Sequence, residues 1–131
     1  MQNNTIRPNY YASMPIEPHL LAEQESYNVG TAMVYLMRAG LKGDAIEDLQ
    51  KAITHLEFEK EIKGYPEIFK KINTISYIDK YPENIHAAIY DLSFMHLEIK
   101  RKDKSMYLDC VIDYINAEIE RIKKERENAN K

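Results

Sequence analysis

The sequence predicts an all-α protein, with helical hairpins packed as a four- to five-helix bundle behind an extended, proline-containing N-terminal arm. Three observations carry this expectation. Apolar residues recur at i, i+3, i+4 and i+7 through most of the chain, the period of a helix with one buried stripe. Glycine and aspartate or proline stand where those stretches stop and start. A length of 131 residues with 44% hydrophobic content suits one domain with a real core.

Residues 1–18 form the expected arm. They hold Pro8, Pro15 and Pro18 and no helical period. Tyr10, Tyr11, Met14 and Ile16 make the arm apolar enough to need a surface, either its own domain or a neighbouring subunit. A first helical hairpin is expected over residues 19–63. Its first helix runs from His19 to Gly40, with a break near Tyr27-Asn28, and Val29, Ala32, Met33, Leu36 and Met37 share one stripe. Gly40 closes it. Asp44 opens the next helix and, with Glu47, makes a variant capping box in which each side chain reaches the other's backbone N–H. Ile46, Leu49, Ile53 and Leu56 line its inner face, and Gly64 ends it. The short connection makes these two helices antiparallel neighbours.

A second helical segment is expected over residues 65–126. Pro66 opens a third helix through Ile68, Phe69, Ile72 and Ile75, although Ile72–Ile78 is β-prone. Pro82 opens a fourth, with a stripe of Ile85, Ala88, Ile89, Leu92, Met95, His96 and Ile99. After a charged turn at residues 100–104, a fifth helix places Leu108, Val111, Ile112, Ile115, Ile119 and Ile122 on one face. The polar stretch from Lys123 is expected to fray, with residues 127–131 as a loose tail. Asn28-Val29 and Ala32-Met33 resemble Asn84-Ile85 and Ala88-Ile89 in helical phase, and residues 52–56 echo 111–115. The echo fits two stacked hairpins of like design, and equally fits two unrelated amphipathic hairpins.

Composition narrows the function. A net charge of −3 supplies no basic field, so duplex DNA is not an expected partner. The single Cys110 forms no intramolecular disulfide and no cysteine zinc site, and its neighbours Tyr107, Val111 and Tyr114 predict a buried, inert thiol. No apolar run is long enough to span a membrane or act as a signal peptide, so the chain is expected in the cytosol, without a membrane partner. Ten tyrosines and no tryptophan provide many flat faces with polar tips, useful at interfaces and ordinary in helical cores.

No phosphate-binding loop, zinc-protease helix, Cys-x-x-Cys or nucleophile elbow occurs. His19, His55, His86 and His96 stand at no spacing that puts two on one helical turn. The helix from Asn28 to Gly40 carries no carboxylate, and Glu57, Glu59 and Glu61 read as a solvated face. Neither a metal nor another cofactor is therefore expected, and a Mg²⁺-dependent nucleotide pyrophosphohydrolase is the weakest of the functional readings.

A candidate ligand face remains. Thr31, Tyr35, Arg38 and Lys42 form one ridge along the first helix, and Asp48, Lys51 and His55 flank it on the second. Arginine offers a fork for phosphate oxygens, lysine a point charge and tyrosine a stacking surface. The plainer alternative is a solvated face with an Arg38–Asp48 pair tying the hairpin, and such faces are common.

Residues 14–18, 27–32, 35–44 and 46–56 (Met-Pro-Ile-Glu-Pro, Tyr-Asn-Val-Gly-Thr-Ala, Tyr-Leu-Met-Arg-Ala-Gly-Leu-Lys-Gly-Asp and Ile-Glu-Asp-Leu-Gln-Lys-Ala-Ile-Thr-His-Leu) resemble the SaV-like family of tailed phages. That family is a small domain of unknown function whose pattern has a Pro-Ile-Glu/Asp arm, a Gly-Asn-Ala-x-Lys-Tyr helix, an Arg-x-Gly-x-Lys turn and an Asp-Leu-x-Lys-Ala helix. Thr31 stands where the family usually has Asn, and Val34 where it usually has Lys. The resemblance covers residues 14 to 60 and implies a phage accessory protein acting in the host cytosol. By analogy with other small phage proteins, the expected activity is non-catalytic sequestration of a nucleotide-type ligand, such as a cyclic oligonucleotide immune signal. The expected ligand set is Tyr10, Tyr11, Glu17, Thr31, Tyr35, Arg38, Lys42 and Lys51, with the arm reaching across a homo-oligomer. The competing expectation is a factor that binds and inhibits a host defence protein.

Overall fold

A computed structural model describes residues 26–62, 79–98 and 103–130, with side chains through Met95 in the second stretch. They form four helices: α1 (Tyr27–Arg38), α2 (Ala45–Glu61), α3 (Glu83–Glu98) and α4 (Lys104–Ala129). The protein is an all-α helical bundle. The arm, the expected helical stretch from His19 to Glu25 and the helix expected after Pro66 lie outside the described residues.

Local chemistry sets the ends of the helices. Gly40 takes a φ of 85°, where a side chain would be strained, and so turns the chain off α1. Asp44 caps α2 by accepting from the Ile46 N–H at 2.9 Å, and Asp103 caps α4 by accepting from the Ser105 N–H at 2.8 Å. Only half of the expected capping box forms. Glu47 instead pairs with Lys51 one turn on, at 3.3 Å. α2 stops at Glu61, with Ile62 as its extended cap, three residues before the expected glycine.

The helices pair as two hairpins, α1 with α2 and α3 with α4, while α2 also packs on α4 and α1 on α3. Lys60, near the end of α2, meets Asp109 near the start of α4, and Asp44 before α2 meets Arg126 near the end of α4. The two second helices are therefore antiparallel, as expected for two hairpins related by an approximate two-fold axis across the bundle. Equivalent residues line the core in pairs: Val29 and Ile85, Ala32 and Ala88, Met33 and Ile89, Leu36 and Leu92, Leu49 and Leu108, Ala52 and Val111, Leu56 and Ile115, all buried. The two capping aspartates are equivalent as well. Ile46 and Ile53 are only half-buried, because Ala52 faces the centre and turns them to the flank.

Two expectations about α4 are corrected. Cys110 is exposed, because it stands off the stripe formed by Leu108, Val111, Ile112 and Ile115. The polar end is helical past residue 127: the helix runs to Ala129, and the Asn130 N–H reaches Glu127 and Asn128 carbonyls. Arg126 ties this end to Asp44 at 2.8 Å, and Arg121 and Glu125 pair one turn apart at 2.6 Å. These contacts supply order that the hydrophobic pattern does not report.

Candidate functional site

The ridge on the first hairpin is organised around Tyr35, which is half-buried and rests against the core. His55 of α2 stacks on it, with ring centroids 6.0 Å apart and planes 22° apart. Arg38 holds its guanidinium carbon 5.2 Å from the Tyr35 centroid, and the Lys51 ammonium lies 5.7 Å from it. Two cations from different helices thus meet one aromatic ring. His55 Nδ1 and Asn28 Oδ1 share a hydrogen bond at 3.0 Å, which holds the ring's orientation. Tyr27 and Phe58 approach His55 edge-on at 6.1 and 5.8 Å. Tyr27 is 77% and Phe58 49% exposed, so the cluster opens to solvent at the end of α1 away from Gly40.

Both cations of this face have carboxylate neighbours, Lys51 pairing with Glu47 at 3.3 Å. Arg38 Nε lies 3.6 Å from Asp48 Oδ1, and the Asp48 side chain is 4% exposed. The expected pair therefore exists, but at a distance too long for a hydrogen bond. It leaves Arg38 Nε and Asp48 Oδ2 sealed from solvent without hydrogen-bond partners. A buried polar atom in that condition costs about 1–3 kcal/mol, so this pair ties the hairpin only weakly.

Of the expected ligand residues, Tyr35, Arg38 and Lys51 converge. Thr31 lies one turn before Tyr35, half-exposed, and Lys42 stands exposed in the turn after α1. Tyr10, Tyr11 and Glu17 lie outside the described residues. Sequence reasoning missed Tyr27 and Phe58 as members of the cluster. The signal was present: Tyr27, Thr31 and Tyr35 repeat every four residues on α1, and Phe58 follows His55 by three on α2.

The carboxylates of α2 also need a correction. Glu57 and Glu61 are exposed, but Glu59 is 3% exposed. It accepts from Ser26 Oγ at 2.8 Å and pairs with Lys104 at 2.6 Å. It is thus a buried clamp between hairpins, invisible to a pattern that counts charges as solvated. Among the described residues, no three His, Cys, Asp or Glu side chains gather where they could hold a metal ion. Nor is any described helix long and apolar enough to cross a membrane. Comparison with family models, with curated proteins and with solved structures returned no match, so the likeness to the SaV-like family rests on the quoted residues alone.

Proposed function

We propose that the α1–α2 face binds a planar, anionic ligand of nucleotide type and holds it without turnover. The observation that carries this reading is the convergence of Arg38 and Lys51 on the Tyr35 ring, backed by His55. A base needs an aromatic surface, and a phosphate needs a guanidinium fork or an ammonium beside it. Both lie here within one side chain's reach. On this reading the chain is a sequestering accessory protein, in keeping with its resemblance to a phage family, and a symmetric ligand would recruit a second copy of the face.

A second reading, recognition of a host protein, draws on the exposure of Tyr27 and Phe58, since aromatic side chains left in water beside a basic flank also suit a protein interface.

Calorimetric titration with mononucleotides, linear dinucleotides and cyclic di- and trinucleotides separates the two. Binding, with the ligand recovered chemically intact after heating, and an affinity lowered about tenfold or more in Lys51→Ala and Tyr35→Leu, supports sequestration. A cleaved product moves the protein to the hydrolases. Silence across the panel, with a host protein retained by the wild-type chain and lost in Phe58→Ala, supports the second reading.

A further inference from the structure

The approximate two-fold relation assigns partners to the buried glutamates, and the two ends of the bundle differ there. Glu59 on α2 and Glu118 on α4 are equivalent, 3% and 2% exposed. Each accepts from a polar residue at the start of the preceding helix: Glu59 from Ser26 and Glu118 from Asn84. Lys104, the first residue of α4, crosses between the hairpins to Glu59 and also donates to the Ile62 carbonyl at 2.9 Å. The residue equivalent to Lys104 is Ala45, the first residue of α2. Where its longer counterpart would lie, beside Glu118, there is a cavity of about 480 Å³.

The chemistry of its walls is that of a lysine slot. Leu36, Met37, Leu49, Ile85 and Ile122 offer an apolar path for a methylene chain, and Ala45 lines the cavity with them. Glu118, Glu125 and Tyr81 supply acceptors. The Tyr81 hydroxyl is sealed from solvent and has no hydrogen-bond partner. Arg121 satisfies part of Glu118 from its own helix, through Nε at 2.9 Å and Nη2 at 2.6 Å, and also holds Glu125. With Asn84 at 3.4 Å, three donors approach a carboxylate that accepts about four, which leaves room for one more on Oε2. Lys80 stands exposed at the rim.

We infer that this cavity is a binding site for a primary alkylamine, whose ammonium takes, at Glu118 and Tyr81, the place that Lys104 takes at Glu59. The volume lies within the range of small-ligand sites, about 300–1,000 Å³. Its lining includes none of Tyr35, Arg38, Lys51 and His55, and its test is independent of the nucleotide reading.

The probes are n-pentylamine and its neutral isostere n-pentanol, titrated into the full chain by calorimetry. The expected result is amine binding about tenfold or more tighter than pentanol, lost in Ala45→Lys, whose own ammonium fills the slot. Ala45→Met, which fills the same space without charge, is expected to exclude both probes and keeps the test open if the lysine variant fails to fold. No amine binding, equal binding of the two probes, or amine binding retained in a folded Ala45 variant would overturn the assignment.

Discussion

Position for position, the cores of the two hairpins match and their outer faces do not. Val29, Met33 and Leu36 of α1 become Ile85, Ile89 and Leu92 of α3, all buried. On the outward side, Tyr35 corresponds to Asp91, Arg38 to Phe94, Lys51 to Cys110 and His55 to Tyr114. The first hairpin assembles a basic aromatic cluster where the second has an acid, a thiol, the Phe94 ring packed on Tyr90 at 4.8 Å, and Tyr114. Packing demands similar volume at equivalent interior positions, so those residues report architecture. Nothing in packing requires Arg38 and Lys51 to meet on Tyr35. The divergence marks the α1–α2 face as the place to look for function.

The largest expected effect tests the shared core. Met33→Ala and Ile89→Ala should each destabilise the protein by about 3–5 kcal/mol in urea titration, because both side chains are fully buried and truncation leaves a cavity. Similar losses sharpen the equivalence. A large loss in one hairpin with almost none in the other breaks it.

Next come the glutamate clamps, where the hairpins should differ. Lys104→Met leaves Glu59 buried without its cation and should cost about 3 kcal/mol, since the Lys104 side chain is only 11% exposed and its carboxylate 3%. Arg121 is 45% exposed, so solvent screens its pair with Glu118 and shares the load when it is removed; Arg121→Met should cost about 1 kcal/mol. A reversed order of midpoints would mean that the clamp between hairpins is not the stronger one.

The smallest effect is alkaline. Burial pushes the Tyr81 phenol up to about 12 from its usual 10. Because the folded state holds this proton more tightly than the unfolded state, the contribution is complete below pH 10 and is lost as pH rises toward 12. Tyr81→Phe should flatten that part of the stability profile relative to wild type, as followed by thermal melts between pH 9 and 12. An unchanged slope would place the hydroxyl in water.

Much of this architecture was legible in the sequence because helices announce themselves by period. The stripe of Val29, Ala32, Met33, Leu36 and Met37, the turn at Gly40 and the cap at Asp44 are local signals, and each is met by the structure. Cys110 and Ile53 were misplaced because a single step along a helix rotates a residue by about 100°, enough to carry it from core to rim. Glu59 was misread because its partners, Ser26 and Lys104, are remote in sequence, and no local pattern distinguishes a clamped carboxylate from a solvated one. The cavity beside Ala45 was hidden for the same reason: it is defined by what α2 lacks relative to α4. Of the site, Tyr35, Arg38 and Lys51 were legible as a ridge and its flank. Their meeting point on one ring depends on how α1 crosses α2, which periodicity does not specify.

Heteronuclear NMR of the full chain during titration with a cyclic dinucleotide decides whether the α1–α2 face binds nucleotide, because each hairpin serves as the other's control. Resonances of Tyr35, Arg38, Lys51 and His55 are expected to shift with saturation while those of Asp91, Phe94, Cys110 and Tyr114 stay still. Shifts on the α3–α4 face instead, or a spectrum unchanged by every nucleotide tried, would contradict that expectation.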